Sequence, residues 1–92
     1  MVHVITYDLH KPERDYEKVS AVIKTADGGW AHPQGSVWFV DTLKSPSDWV
    51  ERLRRTGDPN DEFFVARLQH NWASINMDND VVVWLNDPRR RW

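Results

Sequence analysis

The hydrophobic pattern of the first thirty residues predicts a strand followed by a helix. Apolar residues within Val2–Tyr7 are mostly β-branched or aromatic, and the run ends at Asp8. Pro12 suits the first position of a helix, because the N–H that proline lacks has no intrahelical partner there. The following apolar positions recur at spacings of three and four and end before a glycine pair; they are Tyr16, Val19, Ile23 and Ala26.

The middle of the chain predicts a hairpin and a second helix. Trp30–His32 and Ser36–Thr42 have strand-like composition, and the turn residues Pro33–Gly35 lie between them. Ser45 is suited to cap a helix whose first residue is Pro46. The predicted buried face of this helix, which Gly57 ends, consists of Trp49, Val50, Leu53 and Thr56.

The order of these elements predicts the fold. Glu62–Leu68 forms a fourth strand with apolar residues on both faces, which is typical of a central, covered strand. The resulting β-α-β-β-α-β order predicts one α+β domain over residues 1–92, with two crossovers on an antiparallel sheet in the ferredoxin-like arrangement. Residues 78–86 fit a short terminal helix or an added edge strand, and the helical spacing of Val81, Trp84 and Leu85 favours the helix.

Composition narrows the classes of protein. The 92 residues contain no cysteine, which excludes disulfides and thiolate sites and is compatible with the cytoplasm, the predicted location. The chain begins with a stretch too short and too mixed for a signal peptide, and no apolar run approaches a membrane span, so we expect no membrane partner. The net charge of −2 argues against attraction of nucleic acid by the whole surface.

Arginine residues are nevertheless clustered in two segments. One lies in the second predicted helix and the other is at the end of the chain. Such clusters are either solvated surface or contacts for phosphate groups. The candidate nucleic-acid-binding residues are Arg52, Arg55, Arg89, Arg90 and Arg91.

Six tryptophans are many for this length and divide by pattern. Trp38, Trp49 and Trp84 lie at predicted buried positions. Trp30, Trp72 and Trp92 lie near loops or in the tail, where they suit packing in a dimer or, alternatively, stacking on bases. The paired aromatic signatures of the RNA recognition motif are absent.

Several short motifs carry a resemblance to a known family. They are "ITYDLHKPERDY" (residues 5–16), "WAH" (residues 30–32), "SVWFV" (residues 36–40), "NWA" (residues 71–73) and "WL" (residues 84–85). With the order of elements, they resemble a small bacterial family labelled SinR-like, which is distinct from the biofilm repressor of that name. More distantly, the chain resembles the smaller CRISPR adaptation protein and the virulence-associated protein D toxins.

The resemblance implies a homodimer built through sheet or edge contacts. In the CRISPR adaptation relatives, an aspartate at the end of the first strand approaches its twin across the dimer and can hold a divalent metal for phosphodiester cleavage. Asp8 is the matching residue here. The resemblance therefore implies Mg²⁺ or Mn²⁺ at Asp8 and an endonuclease acting on RNA or DNA. A non-catalytic dimeric scaffold and a toxin-type ribonuclease are the alternatives.

Four residues are candidates for catalysis. Carboxylates such as Asp8 are suitable ligands for the metal that neutralises charge and activates water in phosphodiester hydrolysis. Alternatively, Asp8 accepts hydrogen bonds from the turn that follows it, or contacts the partner in a dimer. His10 follows closely and suits general acid or base chemistry near neutral pH. His32 and Ser36, which flank the predicted turn, join the site only if the hairpin folds toward Asp8.

Overall fold

The computed structural model describes the backbone of the whole chain and the side chains of residues 1–11 and 15–92. It is an α+β fold with a four-stranded antiparallel sheet and three helices. In chain order, the elements are β1 (Val2–Asp8), α1 (Pro12–Ile23), β2 (Trp30–Gln34), β3 (Val37–Asp41), α2 (Pro46–Leu53), β4 (Glu62–Arg67) and α3 (Asn79–Asn86).

The sheet is open, and its strand order is β2-β3-β1-β4. Every neighbouring pair is antiparallel, so the first strand lies inside the sheet between β3 and β4. α1 and α2 therefore each connect two strands that are not adjacent in the sheet. This order is compatible with the ferredoxin-like arrangement predicted from the pattern of elements.

One face of the sheet carries the main core beneath α1 and α2. Side chains alternate along a strand, so residues two apart share a face. Ile5 and Tyr7 from β1 lie on this face with Trp38 and Val40 from β3. The helices contribute their apolar stripes to the same cluster, namely Val19, Ile23, Trp49 and Leu53.

The other face is covered in part by α3. Ala31 packs with Val81 and Leu85 in a second cluster, and Phe39 lies against it. Phe39 alternates with Trp38 and Val40, which places α3 on the face opposite to α1 and α2. The terminal helix is thus confirmed over the alternative of an edge strand. Asp78 caps it, since its side chain accepts a hydrogen bond from the backbone of Asp80 at 2.9 Å.

Three local predictions were wrong. β4 is an edge strand rather than a central one. The second apolar face of β4 is not covered by a helix, so Phe64 is 63% exposed. The hairpin turn falls at Gly35–Ser36, since Pro33 lies within β2 at a register irregularity. An edge strand tolerates proline at such a position because the missing N–H is not needed for pairing. Tyr16 is 38% exposed and lies outside the core cluster.

The tryptophans follow the predicted division only in part. Trp38 and Trp49 are buried in the main core. Trp84 is half-buried and packs against the second cluster, as do Trp72 and Trp92. Trp30 is more exposed than any of these and lies at the start of β2. Across the described structure, no helix has the length and apolarity needed to cross a bilayer.

Candidate carboxylate site at the end of the first strand

Asp8 ends β1 directly opposite another acid. The antiparallel register pairs Asp8 with Glu62, the first residue of β4. Directly opposed residues share a face, so both carboxylates lie on the sheet face opposite to the main core. Both side chains are exposed. Among the side chains of residues 1–11 and 15–92, neither carboxylate forms an ion pair or a hydrogen bond.

The two acids line an open cleft at this end of the sheet. The cleft has a volume of about 230 Å³ and is also lined by Leu9, His10 and Asn60. A neighbouring cleft of about 330 Å³ shares both acids and continues over Thr6 and Phe64. The carboxylates therefore lie at a junction between a polar loop region and the exposed apolar part of the sheet.

His10 is held at this cleft by its backbone. Its N–H donates to Asp61 Oδ1 at 2.6 Å, so Asp61 takes the hydrogen bond that the turn interpretation assigned to Asp8. The second oxygen of Asp61 accepts from the backbone of Asp58 at 3.1 Å. The segment that leads into β4 is thereby attached to the segment that leads out of β1. The imidazole of His10 is exposed at the rim.

Asp58 completes the loop beside His10. Its carboxylate accepts from the backbone N–H of Asn60 at 2.8 Å and lies 3.5 Å from the Lys11 ammonium. The hydrogen bond from Asn60 is the main reason that the pKa of Asp58 lies below its ordinary value, and the charges of His10 and Lys11 act in the same direction. The negative charge of Asp58 is therefore compensated locally, unlike the charges of Asp8 and Glu62.

The hairpin turn lies at the Asp8 end of the sheet. The backbone N–H of Tyr7 donates to Ser36 O at 3.2 Å, so the turn lies at the same end of the sheet. His32 points back into this hairpin, because its Nε2 donates to Gly35 O at 3.1 Å and its ring stacks on Trp38 at 3.6 Å. The structure thus places Ser36 at the end of the sheet that holds Asp8, whereas His32 stacks on Trp38, a residue of the main-core face, and Asp8 lies on the opposite face.

Tyr7 lies in the main core at this end of the sheet. Its hydroxyl accepts from the indole N–H of Trp38 at 2.9 Å. Burial raises the pKa of the Tyr7 phenol above its ordinary value, although the Trp38 hydrogen bond acts in the opposite direction. Tyr7 is therefore neutral near pH 7 and serves as a packing and hydrogen-bonding group beneath the cleft.

The terminal arginines lie at the other end of β1. Asp41 is paired in the sheet with Val2, the first residue of that strand. Arg91 Nε donates to Asp41 at 3.0 Å, and Arg90 lies 3.6 Å from the same carboxylate. Since the strand has seven residues, this end is about 20 Å from Asp8. The structure does not bring these two arginines to the carboxylate site.

The other three candidate arginines differ in their contacts and exposure. Arg89 is paired with Asp87 and is largely exposed. Arg52 donates to Thr25 at 2.9 Å and its guanidinium lies 5.2 Å from the Trp49 ring centroid. Arg55 is exposed just after α2. A role for these residues in binding nucleic acid stays a prediction.

The carboxylate pair fits one kind of metal site. Within the described side chains, no group of three or more histidine, aspartate or glutamate residues is placed to hold a metal ion. Mg²⁺, however, is often held by one or two carboxylates, with water and substrate phosphates as the remaining ligands. Asp8 and Glu62 are two exposed carboxylates in direct register, and metal binding by them stays a prediction.

The sequence analysis named Asp8 as a candidate and did not name Glu62, which faces it in the sheet. The signal that points to Glu62 is the predicted strand order: in an antiparallel pair of β1 and β4, the start of β4 must lie near the end of β1. The register that aligns these two residues is a tertiary property, and a shift by one would have turned one side chain to the other face.

Comparison with known proteins finds no matching family model, no similar curated protein and no similar solved structure. The SinR-like resemblance and the functions that it implies therefore stay predictions.

Proposed function

We propose that this chain is a ferredoxin-like homodimer that binds Mg²⁺ or Mn²⁺ at Asp8 and hydrolyses phosphodiester bonds in RNA or DNA. The observation that carries the proposal is the Asp8–Glu62 pair, two exposed carboxylates in direct register beside an open cleft. The arrangement adds a second ligand to the one that the sequence motif suggested.

The electrostatics of the pair support a cation. Like charges directly opposite each other destabilise a sheet, by roughly 0.2–1 kcal/mol for a typical cross-strand pair. Within the described part of the chain, no cationic side chain offsets this repulsion. A bound divalent cation would convert the repulsion into attraction.

The exposed part of the sheet supports the dimer. Phe64 shares the face of Asp8 and Glu62, is 63% exposed and is not covered by α3. A homodimer through this face would remove this aromatic surface from water. It would also place the carboxylate pairs of both copies along one interface, which raises the number of available ligands.

The roles of the residues follow from their positions. When bound, the divalent ion would supply charge neutralisation and an activated water. Asp8 and Glu62 would hold it and orient the scissile phosphate against it. His10, at the rim of the same cleft, is placed to move a proton to or from the reacting oxygen. Ser36 and His32 would support the end of the sheet rather than the chemistry.

Cleavage assays test this proposal directly. Labelled RNA and DNA are incubated with the protein and Mg²⁺, Mn²⁺ or EDTA, beside Asp8→Asn, Glu62→Gln and the control Glu17→Gln, which alters an exposed acid on α1. We expect metal-dependent cleavage that Asp8→Asn abolishes, Glu62→Gln reduces at least tenfold and Glu17→Gln preserves. Absence of cleavage of both substrates, or cleavage that survives Asp8→Asn, contradicts the nuclease.

A non-catalytic dimeric scaffold is the second candidate. It is favoured by the internal pairing of Arg90 and Arg91 and by the net charge of −2, both of which weaken contacts to phosphate. Sedimentation at micromolar concentration distinguishes the outcomes: a dimer without cleavage supports the scaffold, whereas a monomer contradicts both proposals as stated.

A further inference from the structure

A further cleft lies at the end of β4 that is remote from Glu62. Its volume is about 510 Å³, within the range of small-molecule sites, about 300–1,000 Å³. Since β4 has six residues, this end of the strand is about 17 Å from Glu62, and the cleft is separate from the carboxylate site. We call it the His70–Trp92 cleft, and its lining residues are Arg67, Leu68, Gln69, His70 and Trp92.

Two aromatic rings of the cleft form a planar platform. The imidazole of His70 and the indole of Trp92 are stacked, with ring centroids 4.6 Å apart and planes 3° from parallel. Trp92 also packs against the second hydrophobic cluster beneath α3, which anchors the stack on the fold. The side chain of His70 is exposed. A further planar ring can therefore extend the stack on the histidine side.

The polar groups of the cleft suit an anion. Arg67 is exposed and, among the side chains that the structure describes, forms no ion pair with an acid. One N–H of its guanidinium donates to Trp92 O, which holds the group beside the aromatic platform. A guanidinium carries several more donors, so most of them stay available to a ligand. No aspartate or glutamate side chain belongs to the described lining.

We propose that the His70–Trp92 cleft binds a nucleotide, with the base stacked on His70 and the phosphate against Arg67. Histidine is among the side chains on which unpaired bases stack. Arginine suits phosphate because its planar donors match the oxygens. A basic peptide would be repelled by Arg67, and an acidic peptide would leave the aromatic platform unused. The nucleotide is either free or part of a nucleic-acid strand, and its binding does not depend on cleavage at Asp8.

Calorimetry with the whole protein and three ligands tests this chemistry. AMP carries a base and a phosphate, adenosine lacks the phosphate, and ribose 5-phosphate lacks the base. We expect saturable binding of AMP and weaker binding of each of the other two by roughly fivefold or more, the lower end of the range for losing one stacked base. In NMR spectra, the indole N–H signal of Trp92 should shift with AMP and that of the buried Trp49 should not.

An adenine oligodeoxynucleotide, studied in EDTA, distinguishes the two sources of the nucleotide. Tighter binding of the single strand than of AMP assigns the cleft to an unpaired base of a strand, and tighter binding of AMP assigns it to a free nucleotide. The oligonucleotide annealed to its thymine complement should bind more weakly than the single strand, because paired bases are not free to stack on a side chain.

Matched variants locate the site. His70→Ala and Arg67→Gln alter two exposed residues of the cleft. Tyr16→Ala and Arg54→Gln are the controls, since they alter an exposed aromatic residue on α1 and an exposed arginine at the end of α2. We expect each cleft variant to weaken AMP binding by roughly fivefold or more and each control to leave it unchanged. Circular dichroism confirms that all four variants are folded.

The proposal is overturned if AMP does not bind at millimolar concentration, if ribose 5-phosphate binds as well as AMP, if the duplex binds as well as the single strand, or if the cleft variants behave like their controls. Asp8→Asn, which alters the other end of the sheet, should leave AMP binding intact. Nucleotide binding in this cleft and nuclease activity can therefore fail independently.

Discussion

The two ends of β1 hold acids in opposite states. At the Val2 end, Asp41 is 1% exposed and its carboxylate contacts Arg90 and Arg91. At the other end, Asp8 and Glu62 are exposed and face each other, with no cationic partner in the described part of the chain. The pairing matters at the buried acid because an unpaired buried charge is strongly destabilising. The exposed pair is left uncompensated, which makes it available to a ligand.

The comparison separates two uses of charge in one small sheet. The Asp41 cluster attaches the last residues of the chain to the sheet, and it engages two of the three terminal arginines, Arg90 and Arg91, internally. The Asp8–Glu62 pair contributes nothing to stability in that way. The same residue type thus supports the fold at one end and is a candidate for chemistry at the other.

Removing the buried acid should have the largest effect. Asp41→Ala leaves two arginines without their shared partner, and breaking a buried ion pair typically costs about 3–5 kcal/mol. We expect this loss in the free energy of unfolding, measured in urea. Asp8→Asn is the counterpart at the other end and should not destabilise. If the two variants lose equal stability, the contrast between the two ends is wrong.

A glycine beside Asp41 should show the next largest effect. A Cβ on Gly28 would lie 2.7 Å from Asp41 O and 2.8 Å from Asp41 Cγ, which is too close. Gly28→Ala is expected to cost about 1–3 kcal/mol through overpacking. Gly35→Ala is the control in the hairpin turn, where a Cβ would meet no atom within 4 Å. Equal unfolding midpoints for the two alanine variants would refute the close packing at Gly28.

The exposed pair should respond in the opposite direction and more weakly. Asp8→Asn or Glu62→Gln removes like-charge repulsion, so each should raise the free energy of unfolding in EDTA by roughly 0.2–1 kcal/mol. The double variant should gain little more, because either change alone removes the repulsion. Mg²⁺ should raise the melting temperature of the wild type and of Glu17→Gln, and not that of Asp8→Asn. A Mg²⁺ effect that persists in Asp8→Asn places the metal elsewhere.

Acid titration should show the smallest effect, confined to low pH. Burial tends to raise the pKa of Asp27, but hydrogen bonds from Arg91, Thr42 and the Leu43 backbone outweigh it and lower this pKa from 3.8 to about 2. Because the pKa is lower in the folded state, the stability contributed by Asp27 is present above pH 4 and is lost as the pH falls toward 2. Asp27→Asn should flatten this part of the stability curve. An unchanged slope between pH 4 and pH 2 would contradict the assignment.

Much of the fold could be predicted because its signals are local. Ser45 accepts from the backbone of Asp48 at 3.2 Å, a contact between residues three apart. Val19 and Ile23 lie on one face of α1 because of the helical period alone, and both are buried in the main core. The burial of Trp49 follows from the same helical period, and that of Trp38 from the alternation of side chains along a strand. By contrast, the pattern of β4 predicted a central strand, since apolar residues on both faces do not reveal whether a helix covers the second face.

The amino-acid sequence by itself determined the type and order of the elements, the helix caps and the placement of Asp8 at the end of a strand. Only the tertiary structure decided which acids are compensated. Arg91 and Asp41 are fifty residues apart along the chain, and their ion pair depends on where the tail returns to the sheet. Glu62 faces Asp8 because of the β1–β4 register. Local propensity acts within a few residues, whereas register and tail docking are set by the burial of the whole core.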